Sequence, residues 1–237
     1  MSKLYIIIPA YNEEVNIRTV AINWHDVIVK TGTDSRLIII DDGSKDTTYT
    51  ILTSLEKELP QLISLTKPNS GHGATILYGY NYALENGADY VFQTDSDGQT
   101  LPYEFWQFWQ AREMHVALIG RRDGRKDGFS RVFVTKILRL VLLCIFRLDI
   151  PDANTPFRLI TSTTLKKYLP LIPPGFNLSN VMLTVFLVMY KENVIFIPIT
   201  FKPRQGGINS INIKSIIKIG IRAVKDFYII MKKLNAS

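Results

Sequence analysis

The sequence is poor in the residues that staple or ligate. One cysteine in 237 residues, Cys144, excludes an internal disulfide and any metal held by thiolates alone. It lies in the apolar run 140–146, which predicts a buried core thiol, and its isolation fits a reducing cytoplasmic setting. Three histidines, His25, His72 and His115, are too scattered for a zinc site. No apolar run reaches the roughly 20 residues that a membrane span needs. Residues 140–146 are bracketed by Arg139 and Arg147, and the uncharged stretch 169–190 is interrupted by Pro170, Pro173, Pro174 and Gly175. Residues 178–190 therefore read as a buried or interfacial helix. A secretory signal is not expected, because Pro9 ends the first apolar run too early for a signal core. Internal repeats and low-complexity segments are lacking too.

What is present is enough apolar material for a folded core, at 46% hydrophobic and 21% charged residues. The net charge of +7 divides unevenly. Residues 1–118 hold 8 Lys/Arg against 15 Asp/Glu, net −7, and residues 119–237 hold 20 against 6, net +14. An acidic first half suits a cation; a basic second half suits a phosphate, a nucleic acid or an anionic membrane.

Short branched runs alternate with helical patterns over the first 120 residues. Strands are expected at 4–8, 37–40, 62–65, 90–92 and 116–119. Helices are expected from an Asn12 cap to about Lys30, after an Asp46 cap, from Gly71–Gly73 to about Asn86, and from about Pro102. Such alternation predicts a doubly wound, mostly parallel α/β sheet, with ligands at the carboxyl ends of its strands. The polar clusters 11–14, 41–44 and 95–99 all fall at those ends. Beyond Gly120 the pattern changes to a charged loop at 121–128, a long apolar helix at 131–148 carrying Arg131, Lys136, Arg139 and Arg147, a strand at 193–201, a glycine-rich loop at 204–210 and a final helix at 211–234.

The strongest chemical signal is Asp95-Ser-Asp97. Carboxylates two apart on extended backbone point the same way, and their mutual repulsion calls for a cation. A hard divalent ion shared with diphosphate oxygens meets that need; Gln99 adds an oxygen and Gly98 permits a tight turn. Without a ligand, Asp-Ser-Asp-Gly is also good turn chemistry. Asp41 and Asp42 end another buried strand, where a carboxylate takes hydrogen bonds from ribose or base; Ser44 or Asp46 there also suits a helix cap. Asn69-Ser-Gly71-His72-Gly73 offers glycine amides at a helix start, in the manner of a phosphate cradle. His72 reads as a turn residue rather than a base.

Four clusters taken in order carry a resemblance: Pro9-Ala-Tyr-Asn-Glu13-Glu14, Asp41-Asp42-Gly43-Ser44, Asn69-Ser-Gly71-His-Gly73-Ala74 and Asp95-Ser-Asp97-Gly98-Gln99. Together they resemble family 2 glycosyltransferases, in the branch of dolichyl- and polyprenyl-phosphate sugar synthases. Gly120-Arg121-Arg122, Arg131, the stretch 152–158 and the stretch 204–210 extend the resemblance over most of the chain. It implies a Rossmann-like GT-A fold with a glycosyltransferase domain over 1–210, its nucleotide-sugar and metal half at 1–118 and its acceptor half at 119–210. Residues 211–237 would form a basic amphipathic helix. Pro9, Tyr11, Glu13, Asp41 and Asp42 would hold the nucleotide, with Asp95. Asp95, Asp97 and Gln99 would hold Mg²⁺ or Mn²⁺, and Arg121, Arg131 and Arg204 would bind phosphates of donor or acceptor. The implied activity is an inverting transfer from a nucleotide sugar to a polyprenyl or dolichyl phosphate, by a chain peripheral to the cytoplasmic face of an anionic membrane, with a membrane protein as a further partner. Nucleic acid is not an expected partner. Were the acceptor a saccharide hydroxyl, a base would be needed, and Asp152 is the candidate; after Pro151 it also suits a turn. Pro156 replaces the glycine usual before Phe-Arg in these enzymes, and Ile211 stands where many relatives have lysine. Both departures bear on the acceptor.

Three other readings are weaker. Polysaccharide-building relatives usually carry Gln-x-x-Arg-Trp and several spans, neither present here. A sugar-phosphate nucleotidyltransferase would show a glycine-rich loop after strand one, whereas residues 9–14 hold no glycine. A non-catalytic membrane-binding module has no need of the Asp95/Asp97 pair.

Overall fold

The computed structural model describes residues 2–122, 129–203 and 224–232, with backbone alone for 129–134. Seven strands form one sheet in the order β3-β2-β1-β4-β6-β5-β7. They are β1 (Leu4–Ala10), β2 (Arg36–Asp41), β3 (Leu62–Thr66), β4 (Tyr90–Gln93), β5 (Ala117–Arg122), β6 (Arg158–Thr161) and β7 (Val194–Ile199). All are parallel except β6, which runs antiparallel between β4 and β5. The carboxyl ends of the other six therefore meet on one edge, and β6 enters the sheet from that same edge.

The central strand shows why the sequence folds this way. Along β1, Leu4, Ile6 and Ile8 pack on one face and Tyr5 and Ile7 on the other, all buried. An apolar run without alternation is what a strand covered on both faces requires. One face is closed by α1 (Ile17–Val29), α2 (Thr48–Leu55) and α4 (Phe105–Ala111), around an aromatic cluster in which Phe92 lies 5.3 Å from Trp24, 5.0 Å from Phe105 and 4.7 Å from Phe157. The other is closed by α3 (His72–Glu85), α5 (Phe129–Phe146), α6 (Ser162–Tyr168) and α7 (Ser179–Met189). Residues 224–232 are helical and pack there through Phe227, 5.8 Å from Phe146. Among the described residues no helix is long and apolar enough to cross a membrane.

The structure corrects several expectations. Asn12 does not cap α1, which starts five residues later. It sits at φ 54, a left-handed conformation asparagine tolerates, and its Oδ1 accepts from Lys45 N at 2.8 Å. Asp46 does serve the start of α2, its Oδ1 accepting from Thr48 N at 3.0 Å. Arg121 and Arg122 belong to β5, not to a loop. Cys144 is exposed: it lies on the outer face of α5, while Leu142 and Phe146 take the inner one. The sequence reading missed β6 and α6; four residues of strand opened by an arginine give no local pattern. Of the final helix expected at 211–234, residues 211–223 and 233–234 lie outside the described residues.

Candidate active site

The crest is organised by backbone amides. After β1, Asn12 N donates to Ser44 Oγ at 2.9 Å and Glu14 N to Asp46 Oδ2 at 3.2 Å, while Thr47 N donates back to Glu14 Oε2 at 3.1 Å. Glu13 is buried; its N–H donates to Thr48 Oγ1 at 2.8 Å and its carboxylate accepts from Asn16 Nδ2 at 2.9 Å. Pro9 is buried and Tyr11 half-buried beside it. The loops after β1 and β2 are thus laced together before any ligand arrives.

Asp41 and Asp42, expected at the nucleotide, are buried and engaged with the protein itself. Asp41 accepts from Ser44 N at 3.2 Å and from Thr66 Oγ1 at 2.9 Å. Asp42 Oδ1 accepts from Ser70 N and Oδ2 from Gly71 N, both at 2.9 Å, and Lys67 Nζ pairs with the same carboxylate. Asp42 therefore shapes the loop 67–71 that opens α3. The Lys67 pairing was missed by the sequence reading, since nothing local ties the two residues.

That loop continues into a seam between the chain halves. A Cβ on Gly73 would lie 2.3 Å from Phe176 O and 2.4 Å from Asn177 O, so only glycine lets α3 touch this backbone. Ser179 Oγ donates to Gly73 O at 3.1 Å across the same seam. His72, next in the first turn of α3, places Nε2 3.0 Å from Asp95 Oδ1. Desolvation works against its charged form, but Asp95, with Asp97 and Asp42 behind it, outweighs this and raises the His72 pKa. His72 is thus part of the site rather than a simple turn residue.

Asp95 and Asp97 follow β4 directly. Ser96 between them is buried while both carboxylates remain half-exposed, as the two-residue alternation predicts. Thr94 and Thr100 hydroxyls close the base of the loop at 2.8 Å, and Gln99 N donates to Asp97 Oδ1 at 3.2 Å. Gln99 is buried, its side-chain Nε2 donating to Lys202 O at 2.6 Å and its backbone carbonyl accepting from Lys202 N at 2.8 Å. Among the described residues no three His, Cys, Asp or Glu side chains cluster as a ready-made metal cage. The half-exposed Asp95 and Asp97 carboxylates fit a hard divalent cation that takes further oxygens from phosphate and water.

The basic side of the crest lies at the end of β5. Arg122 forms a bidentate pair with Asp152, Nε to Oδ2 and Nη2 to Oδ1, both 2.7 Å, and its N–H donates to Oδ2 at 3.2 Å. The pair is buried, with side-chain exposures of 9% and 5%. Asp152, the sequence's candidate base, thus has both oxygens engaged as a brace. Arg121 is half-buried beside it. Arg158, fully buried at the start of β6, donates to carbonyls of Ala153, Thr155 and Asn180 and to Thr184 Oγ1. Burial lowers its pKa, with Tyr80 and Asp152 opposing that shift. An arginine remains charged even so, and this one fixes the 152–155 loop against α7. Arg131 lies on α5, where only backbone is described, and Arg204 lies outside the described residues.

Comparisons with known proteins place the chain in a family. The family model described as "Glycosyl transferase family 2" matches residues 5–169. The UDP-N-acetylglucosamine–dolichyl-phosphate N-acetylglucosaminyltransferase of Methanococcus voltae is 38% identical over 148 residues, 56% of this chain and 57% of that protein. The chain thus spans less than two thirds of that relative. Polyprenol monophosphomannose synthase of Mycolicibacterium smegmatis is 24% identical over 216 residues, 87% of this chain and 80% of that protein. Among solved structures, glucosyl-3-phosphoglycerate synthase from Mycobacterium tuberculosis, crystallised with Mn²⁺, UDP-glucose and phosphoglyceric acid, superposes with a TM-score of 0.71 at 16% identity, covering 98% of this chain and 80% of its own. That likeness shows the fold, the GT-A arrangement. The sequence match runs from β1 past α6, across the carboxylate loop and the basic end of β5, and the chain belongs to glycosyl transferase family 2.

Proposed function

We propose that the chain transfers a sugar from a nucleotide-sugar donor to a polyprenyl or dolichyl phosphate, inverting the anomeric centre. One arrangement carries the reading: the Asp95/Asp97 pair at the end of β4 and Arg121/Arg122 at the end of β5 share one edge, separated in the sheet only by β6. Asp95, Asp97 and Gln99 would hold Mg²⁺ or Mn²⁺, which supplies charge neutralisation on the departing diphosphate. The M. tuberculosis structure with Mn²⁺ and a UDP-sugar supports a divalent ion here. Pro9, Tyr11 and Glu13 line the donor side, with Asp41 and Asp42 holding the loops that frame it. Arg121, Arg131 and Arg204 would bind acceptor or leaving-group phosphate, where a guanidinium fork matches the oxygens. The attacking atom is a phosphate oxygen, already nucleophilic at neutral pH. No general base is then required, in keeping with the engagement of both Asp152 oxygens by Arg122.

The dolichyl- and polyprenol-linked products named for the two relatives support a lipid acceptor. A lipid acceptor places the chain at a membrane surface, on the cytoplasmic side where nucleotide sugars are made. The deciding experiment is a product assay with a panel of sugar nucleotides against a short polyprenyl phosphate, with and without divalent metal. A metal-dependent lipid-phosphate sugar is expected; transfer only to a saccharide hydroxyl overturns the reading.

A further inference from the structure

We propose that the outer face of α5 and of the adjoining 224–232 helix is a single docking face for the interface of an anionic lipid bilayer. The inference rests on the lipid-borne acceptor proposed above.

The face is apolar where a soluble helix should be polar. On α5, Ile137, Leu140 and Leu143 are 45%, 59% and 46% exposed, and Cys144 is exposed beside them. At about 100° per residue these four share an arc of roughly 160° with Lys136, Arg139 and Arg147. Leu142 and Phe146 turn inward to the core. On the second helix Val224, Tyr228 and Ile229 are 41%, 65% and 44% exposed, flanked by exposed Lys225 and Lys232, while Phe227 and Ile230 are buried. The Phe146–Phe227 ring contact, 5.8 Å between centroids, joins the inner side of the second helix to the C-terminal end of α5.

Charge selects the occupant. Arg139 is paired with Asp149, Nε to Oδ1 at 2.5 Å and Nη2 to Oδ2 at 2.8 Å, and the exposed cations Lys136, Arg147, Lys225 and Lys232 set the sign of the face. A second copy of this chain would set those cations against their own equivalents. Anionic headgroups complement them, and the acyl boundary takes the isoleucine, leucine and tyrosine side chains. Lysine and arginine stems long enough to reach headgroups from among apolar neighbours are the usual composition of such a surface. An interface-lying helix of this kind brings a water-soluble donor site to a lipid acceptor.

The test is flotation of the full chain on phosphatidylcholine vesicles with and without phosphatidylglycerol. It compares wild type, the triple variant Ile137→Ser/Leu140→Ser/Leu143→Ser, and the charge variant Lys136→Gln/Arg147→Gln/Lys225→Gln/Lys232→Gln. Melting temperature and turnover on a short water-soluble prenyl phosphate check the fold. Wild type is expected to float on anionic vesicles only, and the triple variant to lose about tenfold in partitioning with its melting temperature kept. The charge variant should lose the preference for phosphatidylglycerol. Equal flotation of the triple variant and wild type overturns the proposal, as does a face whose mutation dissolves a dimer but leaves vesicle binding unchanged. If flotation behaves as expected while no prenyl phosphate accepts sugar, the docking face stands and the acceptor reading falls.

Discussion

The two halves of the molecule handle buried charge in opposite ways. In the first, the buried carboxylates take backbone N–H groups, Asp41 from Ser44 and Asp42 from Ser70 and Gly71, with Lys67 also on Asp42, as the half-buried Asp46 does from Glu14 and Thr48. In the second, guanidinium groups are satisfied by carbonyls, as Arg158 is, or by one bidentate carboxylate, as Arg122 is. The difference follows from the sheet. Parallel strands feed their carboxyl ends into loops and helix starts, where amides lack partners and anions fit. Antiparallel β6 enters the crest amino-end first, behind a loop whose carbonyls turn inward and call for donors. Asp95 and Asp97 lie half-exposed between these two environments.

Removing the brace on the basic side tests this contrast most severely. Asp152→Ala is expected to cost about 3–5 kcal/mol of unfolding free energy, because Arg122 is left buried without its partner. Urea denaturation reads it. Unchanged stability with a collapsed kcat would restore Asp152 as a reacting group and dissolve the comparison. On the outward pair, Asp97→Asn keeps an oxygen for the Gln99 N–H but loses the charge. Turnover should fall more than about a hundredfold, roughly 2.7 kcal/mol, with the melting temperature held. Activity above about a tenth of wild type at saturating Mg²⁺ or Mn²⁺ would remove this carboxylate from the metal.

At the seam, Gly73→Ala drives a methyl group into the Phe176–Asn177 backbone and should cost about 1–3 kcal/mol. A silent substitution would mean that the halves are not in contact through α3. The smallest effect belongs to a single cap. Asp46→Ala should cost about 1 kcal/mol. Desolvation raises the Asp46 pKa, but hydrogen bonds from Thr48 and Glu14 outweigh it and lower the value overall. The difference between wild type and variant is therefore full above the unfolded carboxylate pKa, about 3.9. It is lost as pH falls through the depressed folded value, and melting curves between neutral and acid pH follow it.

The first half was legible because its information is local. Residues 4–8 and 37–40 each announce a buried strand and 62–65 and 90–92 two further strands, and the polar clusters at the strand ends follow from the parallel order. The second half was less legible. β6 takes its identity from pairing with residues 90–93, 71 positions away for Tyr90↔Thr161 and 65 for Gln93↔Arg158, and the Arg122–Asp152 pair spans 30 residues. Cys144 was misplaced for a related reason: an apolar run reads as core, yet on α5 part of that run faces out.

By itself the sequence determined a mostly parallel α/β domain, the carboxylate pair after the fourth strand, and the acidic and basic division of the chain, because strand periodicity and strand-end chemistry are short-range properties. Only the tertiary structure decided which charged groups are buried against the protein and which stay half-exposed at the strand ends. Asp41, Asp42 and Asp152 look no different in sequence from Asp95 and Asp97; what separates them is burial, because the first three are covered by donors and backbone from other loops while Asp95, bonded to His72, and Asp97 stay half-exposed, and that is fixed by how the strands are ordered and how close glycines such as Gly73 let the elements approach.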